Sequence, residues 1–137
     1  MTPLLVLDSN VYISAVLFGG KPRLIIQAAL TGKIRLAISA AILEEITDVL
    51  SGKKFKFSET AAREVVNEIS SLAGIFEPIE KISRIKEDPA DDRILECALA
   101  ASAAAIVSGD SHLLALENFH AIPILSPADC LEKYKLG

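Results

Sequence analysis

The chain has 137 residues, 51% of them hydrophobic, with 14 Lys and Arg against 18 Asp and Glu, a net charge of -4 and a mean hydropathy of +0.41. That length suits one compact domain, 1–137, and the apolar fraction excludes a disordered chain. The acidic balance argues against a broad basic nucleic-acid surface, and the longest charge-free run, Cys97 to Gly109, is shorter than the ~20 apolar residues a membrane-spanning helix needs.

Leu4 to Leu7 is a continuous apolar run closed by Asp8, the pattern of a strand buried on both faces. Met1 leads almost directly into this strand with no basic n-region or cleavable segment, so the expected location is cytoplasmic, away from the membrane. A helix is expected from Asn10 to about Phe18, then a break at Gly19-Gly20 and a second helix from Pro22 to about Leu30. Ile34 to Ile38 reads as the second strand, and Ser39 as the N-cap of a helix from Ala40 to Leu50 that stops at Ser51-Gly52. Ser58 opens a helix to about Leu72, followed by a strand from Ile75 to Ile79. Asp88-Pro89 begins a helix lasting to about Ser102, Ala105 to Val107 is a short strand, and His112 to Leu116 is a helical turn. Ile122 to Leu125 is the last strand, and Ser126-Pro127 caps a final helix toward Tyr134. Strands and helices alternate throughout, which predicts an α/β fold with a central parallel sheet of about five strands covered on both faces.

Acidic residues recur where these elements end or begin: Asp8, Glu44-Glu45, Asp88 to Asp92, and Asp110. An ionised carboxylate in apolar surroundings is costly unless a partner or a metal compensates it. In parallel α/β sheets ligands gather beyond the carboxyl ends of the strands, where Asp8 and Asp110 fall. A hard divalent cation with oxygen ligands is the natural compensator for converging carboxylates, and the pattern reads as a metal-dependent nuclease.

Helix phase sorts the remaining acids. At about 100° per residue, Ile42, Leu43, Ile46, Val49 and Leu50 define one face, Glu45 lies about 100° from its centre, and Glu44 and Asp48 lie about 160° away. Glu45 borders the buried side, whereas Glu44 and Asp48 face solvent. In the later helix, Asp91 shares the face of Ile94, Leu95, Ala98 and Ala101, while Asp92 lies about 120° from it. Asp91 is the first choice there, with Asp92 and the prospective N-cap Asp88 as alternatives.

Cys97 and Cys130 have no CxxC or Cys/His metal spacing and read as reduced core thiols. His120 reads as a surface turn residue. His112 follows Asp110 closely enough to touch a metal or phosphate there. Lys53, Lys54 and Lys56, interleaved with Phe55 and Phe57, are the candidate substrate-binding stripe, although a solvated loop with the rings anchored to the core explains them as well.

LVLDSNVYIS, SAAILEEITDVL, EDPADDRILECALA and AIVSGDSHLL, in that order and spacing, resemble the successive motifs of the PIN domain. They are most similar to the branch described as toxins of toxin-antitoxin pairs. The resemblance implies an α/β/α fold, Mg²⁺- or Mn²⁺-dependent ribonuclease activity, a homodimer and a small antitoxin partner. It also implies that Asp8, Glu45, Asp91 and Asp110 are the catalytic and metal-binding acids, with Asn10 and Ser108 as polar supports and Asp88 as a further matching acid. Ser9 and Ser108 stand where Thr is common, which keeps a hydroxyl. His112 stands where an Asp is common.

Metal-assisted phosphodiester hydrolysis suits these residue types, since an ion held by carboxylates activates water and offsets charge on the phosphate. A phosphoacceptor domain would carry an acidic pair after the first strand and a Lys ending the last, where this chain has Ser9-Asn10 and Leu125-Ser126. A dehalogenase-type phosphatase would have a second Asp at Asn10, and a dinucleotide site would show a GxGxxG turn. The remaining rival is a non-catalytic PIN-like module that binds protein or RNA without cutting.

Overall fold

The structure, a computed structural model, describes residues 2–78 and 89–137. Ile79 of the expected third strand and Asp88 lie outside the described residues. Among the described residues thirteen elements follow in chain order. They are β1 (Leu4–Leu7), α1 (Ser9–Leu17), α2 (Gly20–Leu30), β2 (Arg35–Ile38), α3 (Ala40–Ser51), α4 (Glu59–Leu72) and β3 (Gly74–Ile75). Then come α5 (Pro89–Ala101), β4 (Ala105–Val107), α6 (Ser111–Leu114), β5 (Asn118–Phe119), β6 (Ile122–Leu125) and α7 (Pro127–Tyr134).

The strands form a six-stranded sheet in the order β3-β2-β1-β4-β6-β5. Every pairing is parallel except that of β5 with β6. Leu5, Val6 and Leu7, and likewise Ala105, Ile106 and Val107, are buried at every position. Since successive strand side chains point to opposite faces, such runs mean that both faces of the central strands are covered. After β1 the chain builds β2 and β3 on one side, then crosses over through α5 to build β4 and β6 on the other. The switch point therefore lies between β1 and β4, where Leu7 is level with Val107 and the Asp8 N–H donates to the Val107 carbonyl at 2.9 Å.

The parallel strands lead into polar N-caps: Asp8 caps α1, Ser39 caps α3, Asp110 caps α6 and Ser126 caps α7. Each side chain accepts from a backbone N–H of the helix's first turn, which fixes how the chain leaves the sheet. Between α1 and α2 the chain turns through Gly19, at φ 76° and ψ -127°, a backbone region open only to glycine. The Arg23 guanidinium lies beside that turn and donates to the carbonyls of Ala15 and Val16 at the C-terminal end of α1. Arg23 is thus occupied as a helix cap.

The sixth strand is the difference from the sequence-based expectation. β5 pairs with β6 through a two-residue turn, His120-Ala121, with Phe119 opposite Ile122. Both turn residues have positive φ, 50° and 64°, as a primed hairpin turn demands. Neither residue is the Gly or Asn such turns favour, so the hairpin left no signal in the sequence.

That strain yields a stability prediction. A non-glycine residue in the left-handed region costs roughly 1–2 kcal/mol. Replacing His120-Ala121 by Asn-Gly should therefore raise the melting temperature by about 4 °C, taking ~1 kcal/mol of relief for a domain of this size. Thermal melts of the double variant against wild type provide the check, and an unchanged or lower value would show that the turn carries no such strain.

Candidate functional site

The carboxyl ends of β1 and β4 place Asp8, Ser108 and Asp110 side by side. Asp8 is 3% exposed, and its Oδ2 accepts from the Ser108 hydroxyl at 2.7 Å. The Ser108 oxygen in turn accepts from the Asp110 backbone N–H at 2.9 Å, so one hydroxyl bridges the two strand ends. On the other side of Asp8, the Ser9 hydroxyl donates to Glu45 Oε2 at 2.6 Å and lies 3.3 Å from Asp8 Oδ1. Glu45 reaches the rim from the second turn of α3. A continuous polar path thus runs from Glu45 through Ser9, Asp8 and Ser108 to Asp110.

Asp91 joins this path from α5. Carboxylate oxygens of Asp91 and Asp110 and a ring nitrogen of His112 all lie within 4.8 Å of one another. Two donors each ~2.1 Å from one ion lie at most about 4.2 Å apart, so small side-chain rotations bring this set onto a single cation. The donors are two hard oxygens and one imidazole nitrogen, which fits a divalent metal. Asp110 Oδ1 accepts from the backbone N–H groups of His112 and Leu113 at 2.8 and 3.4 Å, which pins the carboxylate as the α6 cap.

Helix phase separates the acids of α3 as the sequence predicts: Glu45 is half-buried, while Glu44 and Asp48 are exposed. In α5 both Asp91, the first choice, and Asp92, the alternative, are buried, at 4% and 3% exposure. The reason is that α5 packs against β1, β2 and β4 and also against α3, so its core-facing arc is far wider than one apolar stripe. The same burial takes in Glu96, one turn beyond Asp92, which pairs with Arg93 at 2.9 Å. Glu96 was not foreseen. Its only sequence signal is the i, i+4 spacing from Asp92.

Asn10 is exposed, and its contact with Asp8 is through the backbone N–H at 3.5 Å. Lys53, Lys54 and Lys56 are exposed in the segment after α3, at the end of that helix away from its Ser39 cap. Phe55 and Phe57 are half-buried and packed on the core, which leaves them as anchors of that loop. His120 occupies the β5–β6 turn as expected. Cys97 and Cys130 are free and buried, and burial pushes their thiols up to about 12 and about 11, leaving no thiolate nucleophile at neutral pH. A separate cavity of about 610 Å³ opens between α1, α2 and α4, lined by Tyr12, Val16, Ile26, Leu30, Ile69 and Leu72 among others. Its lining is mostly apolar, with Arg23, Gln27, Glu68 and Ser71 as polar members, and contains none of the clustered acids.

A family model described as PIN domain matches residues 4–112. No curated protein sequence matches the chain. In structure the chain is similar to a crystal structure of VapBC2 from Rickettsia felis bound to a DNA fragment from their promoter. The TM-score is 0.63 at 15% identity, covering 90% of this chain and 98% of that one. At that identity the likeness shows the fold.

Burial raises the Asp8 carboxyl above its ordinary value of 3.8, and the charge of Asp110 acts in the same direction. Hydrogen bonds from Ser108, the Asn10 N–H and Ser9 only partly offset this. The folded value therefore lies above the unfolded one. Ionised Asp8 costs stability above the folded value, and the cost disappears as pH falls through it toward 3.8. In chelator, Asp8→Asn should melt higher than wild type at neutral pH, with the gap closing in acid. A variant that melts lower at neutral pH would show that the charge is compensated from within the chain.

Proposed function

Because the chain belongs to the PIN domain family, we propose that it is a metal-dependent endoribonuclease, the toxin of a toxin-antitoxin pair. The observation that supports this reading is that ligand atoms of Asp91 and Asp110 lie together at the switch point of a parallel sheet, with Asp8 and Glu45 linked to the same rim through Ser108 and Ser9. The ion these residues suit, Mg²⁺ or Mn²⁺, supplies Lewis acidity toward a phosphodiester and lowers the pKa of a water when bound.

In this proposal Asp91 and Asp110 present carboxylate oxygens from two different elements, so closure of α5 onto the end of β4 sets their separation. Asp8 lies behind them, held by Ser108. Glu45, oriented by Ser9, borders the same rim. The single domain 1–137, with Asp88 and Asp92 as supporting acids, is part of the same reading. Lys53, Lys54 and Lys56 meet the RNA backbone at a distance from the acids: Ser51, the last residue of α3, is ~9 Å along the helix from Glu45, so the substrate would span several nucleotides. The PIN family membership and the likeness to the VapBC2 assembly support an antitoxin partner for this chain too. The apolar cavity beside α1, α2 and α4, with exposed Phe18 and Leu30 on those elements, is the surface such a partner would cover. A homodimer and a cytoplasmic location complete the proposal. Among the described residues no single helix is long and apolar enough to cross a membrane.

The purified chain should cleave single-stranded or structured RNA in Mg²⁺ or Mn²⁺ and stop when EDTA is added. Glu45→Gln and Asp91→Asn should each lower the cleavage rate by about a hundredfold or more, the effect of losing a strong electrostatic element of a site. Glu44→Gln, on the solvent side of α3, should leave the rate within about twofold, as surface changes away from the reacting atoms do. Asp92, buried but outside the clustered ligand atoms, should matter less than Asp91. Cleavage persisting in excess chelator would refute the metal mechanism. No cleavage with any divalent ion would favour the interaction module.

A further inference from the structure

We infer that His112 is a metal ligand of this chain, and that it biases the site toward Mn²⁺ over Mg²⁺. The inference rests on the proposed divalent-metal site and deepens it. Three observations lead to it. The cluster whose donor atoms come within 4.8 Å of one another contains His112 as one of three members, alongside Asp91 and Asp110. His112 Nδ1 lies 3.6 Å from Asp110 Oδ1. That is longer than a hydrogen bond yet close to the ~3.0–3.5 Å between neighbouring ligands of one ion. Lastly, the His112 backbone N–H donates to Asp110 Oδ1 at 2.8 Å, so the capping contact that orients Asp110 also keeps the His112 backbone beside it.

The chemistry of the donor then shifts the preference between Mn²⁺ and Mg²⁺. An imidazole nitrogen suits first-row transition ions, whereas Mg²⁺ prefers oxygen ligands and gives up its waters reluctantly. A site of carboxylates alone accepts Mg²⁺. Adding one imidazole keeps the oxygen ligands and adds a donor that Mn²⁺ accepts more readily than Mg²⁺ does. His112 is half exposed, with 49% of its side chain accessible, so replacing it disturbs no core packing. His120, in the turn between β5 and β6 and outside the cluster, serves as the internal control.

The experiment measures binding without RNA. Calorimetric titration of the whole chain with MnCl₂ and with MgCl₂ gives the Mn²⁺/Mg²⁺ affinity ratio for wild type, His112→Asp and His120→Gln. The ratio should fall at least about tenfold in His112→Asp, which restores an all-oxygen set, and remain unchanged in His120→Gln. Pulsed electron paramagnetic resonance of bound Mn²⁺ adds a direct signature: imidazole ¹⁴N coupling in wild type and His120→Gln, lost in His112→Asp. An unchanged affinity ratio, or no nitrogen coupling in the wild type, overturns the assignment. Weaker RNA binding by His112→Asp at unchanged metal selectivity would also overturn it and place His112 on phosphate. Because these readouts need no substrate, a chain that binds Mn²⁺ through nitrogen but cuts no RNA would sustain this inference while refuting the nuclease reading.

Discussion

The hydrogen bond from the Asp8 N–H to the Val107 carbonyl joins the ends of two strands that are neighbours in the sheet but 100 residues apart in sequence. Much of the site depends on that juxtaposition. With β1 and β4 in register, Ser108 falls within 2.7 Å of the Asp8 carboxylate and holds the Asp110 backbone on its other side. A one-residue slip of either strand would turn these side chains to the opposite face of the sheet and separate the acids. The parallel core, with Leu5, Val6, Leu7, Ile106 and Val107 fully buried, is what makes such a slip costly.

That rigidity works against a local electrostatic cost. Burial and the neighbouring Asp110 both raise the Asp8 carboxyl, so the folded chain at neutral pH holds a carboxylate in surroundings that disfavour its charge. Serine hydroxyls at positions 9 and 108 relieve part of this without contributing positive charge. Arg93, on α5, pairs with Glu96. On the proposed reading a bound divalent ion offsets the remaining cost at Asp8, and its binding is linked to folding.

The legible parts of the site were those fixed by local rules. Asp8 and Asp110 could be read because each closes a continuous apolar run, and a strand end in a parallel sheet has a known relation to ligands. Glu45 could be separated from Glu44 because α3 has one buried stripe, and helix phase measures position on that stripe. The same reasoning was too narrow for α5, which is enclosed by the sheet and α3, so that Asp92 and Glu96 are buried as well as Asp91. The Ser9 link to Glu45 spans 36 positions and depends on tertiary geometry alone. Nor could spacing reveal the β5–β6 hairpin, since His120 and Ala121 adopt left-handed backbone that their residue types do not advertise. The lysine stripe was legible as exposed charge, but only packing could show that Phe55 and Phe57 belong to the core.

The most direct measurement is a crystal structure of the chain grown in MnCl₂, with data collected at the manganese absorption edge. The account predicts an anomalous peak among the side-chain donors of Asp91, Asp110 and His112, on the Asp8 side of the rim. A peak elsewhere on the surface, or a site that stays empty at saturating manganese while the acids keep their present arrangement, would contradict the claim that these carboxylates converge in order to hold a metal.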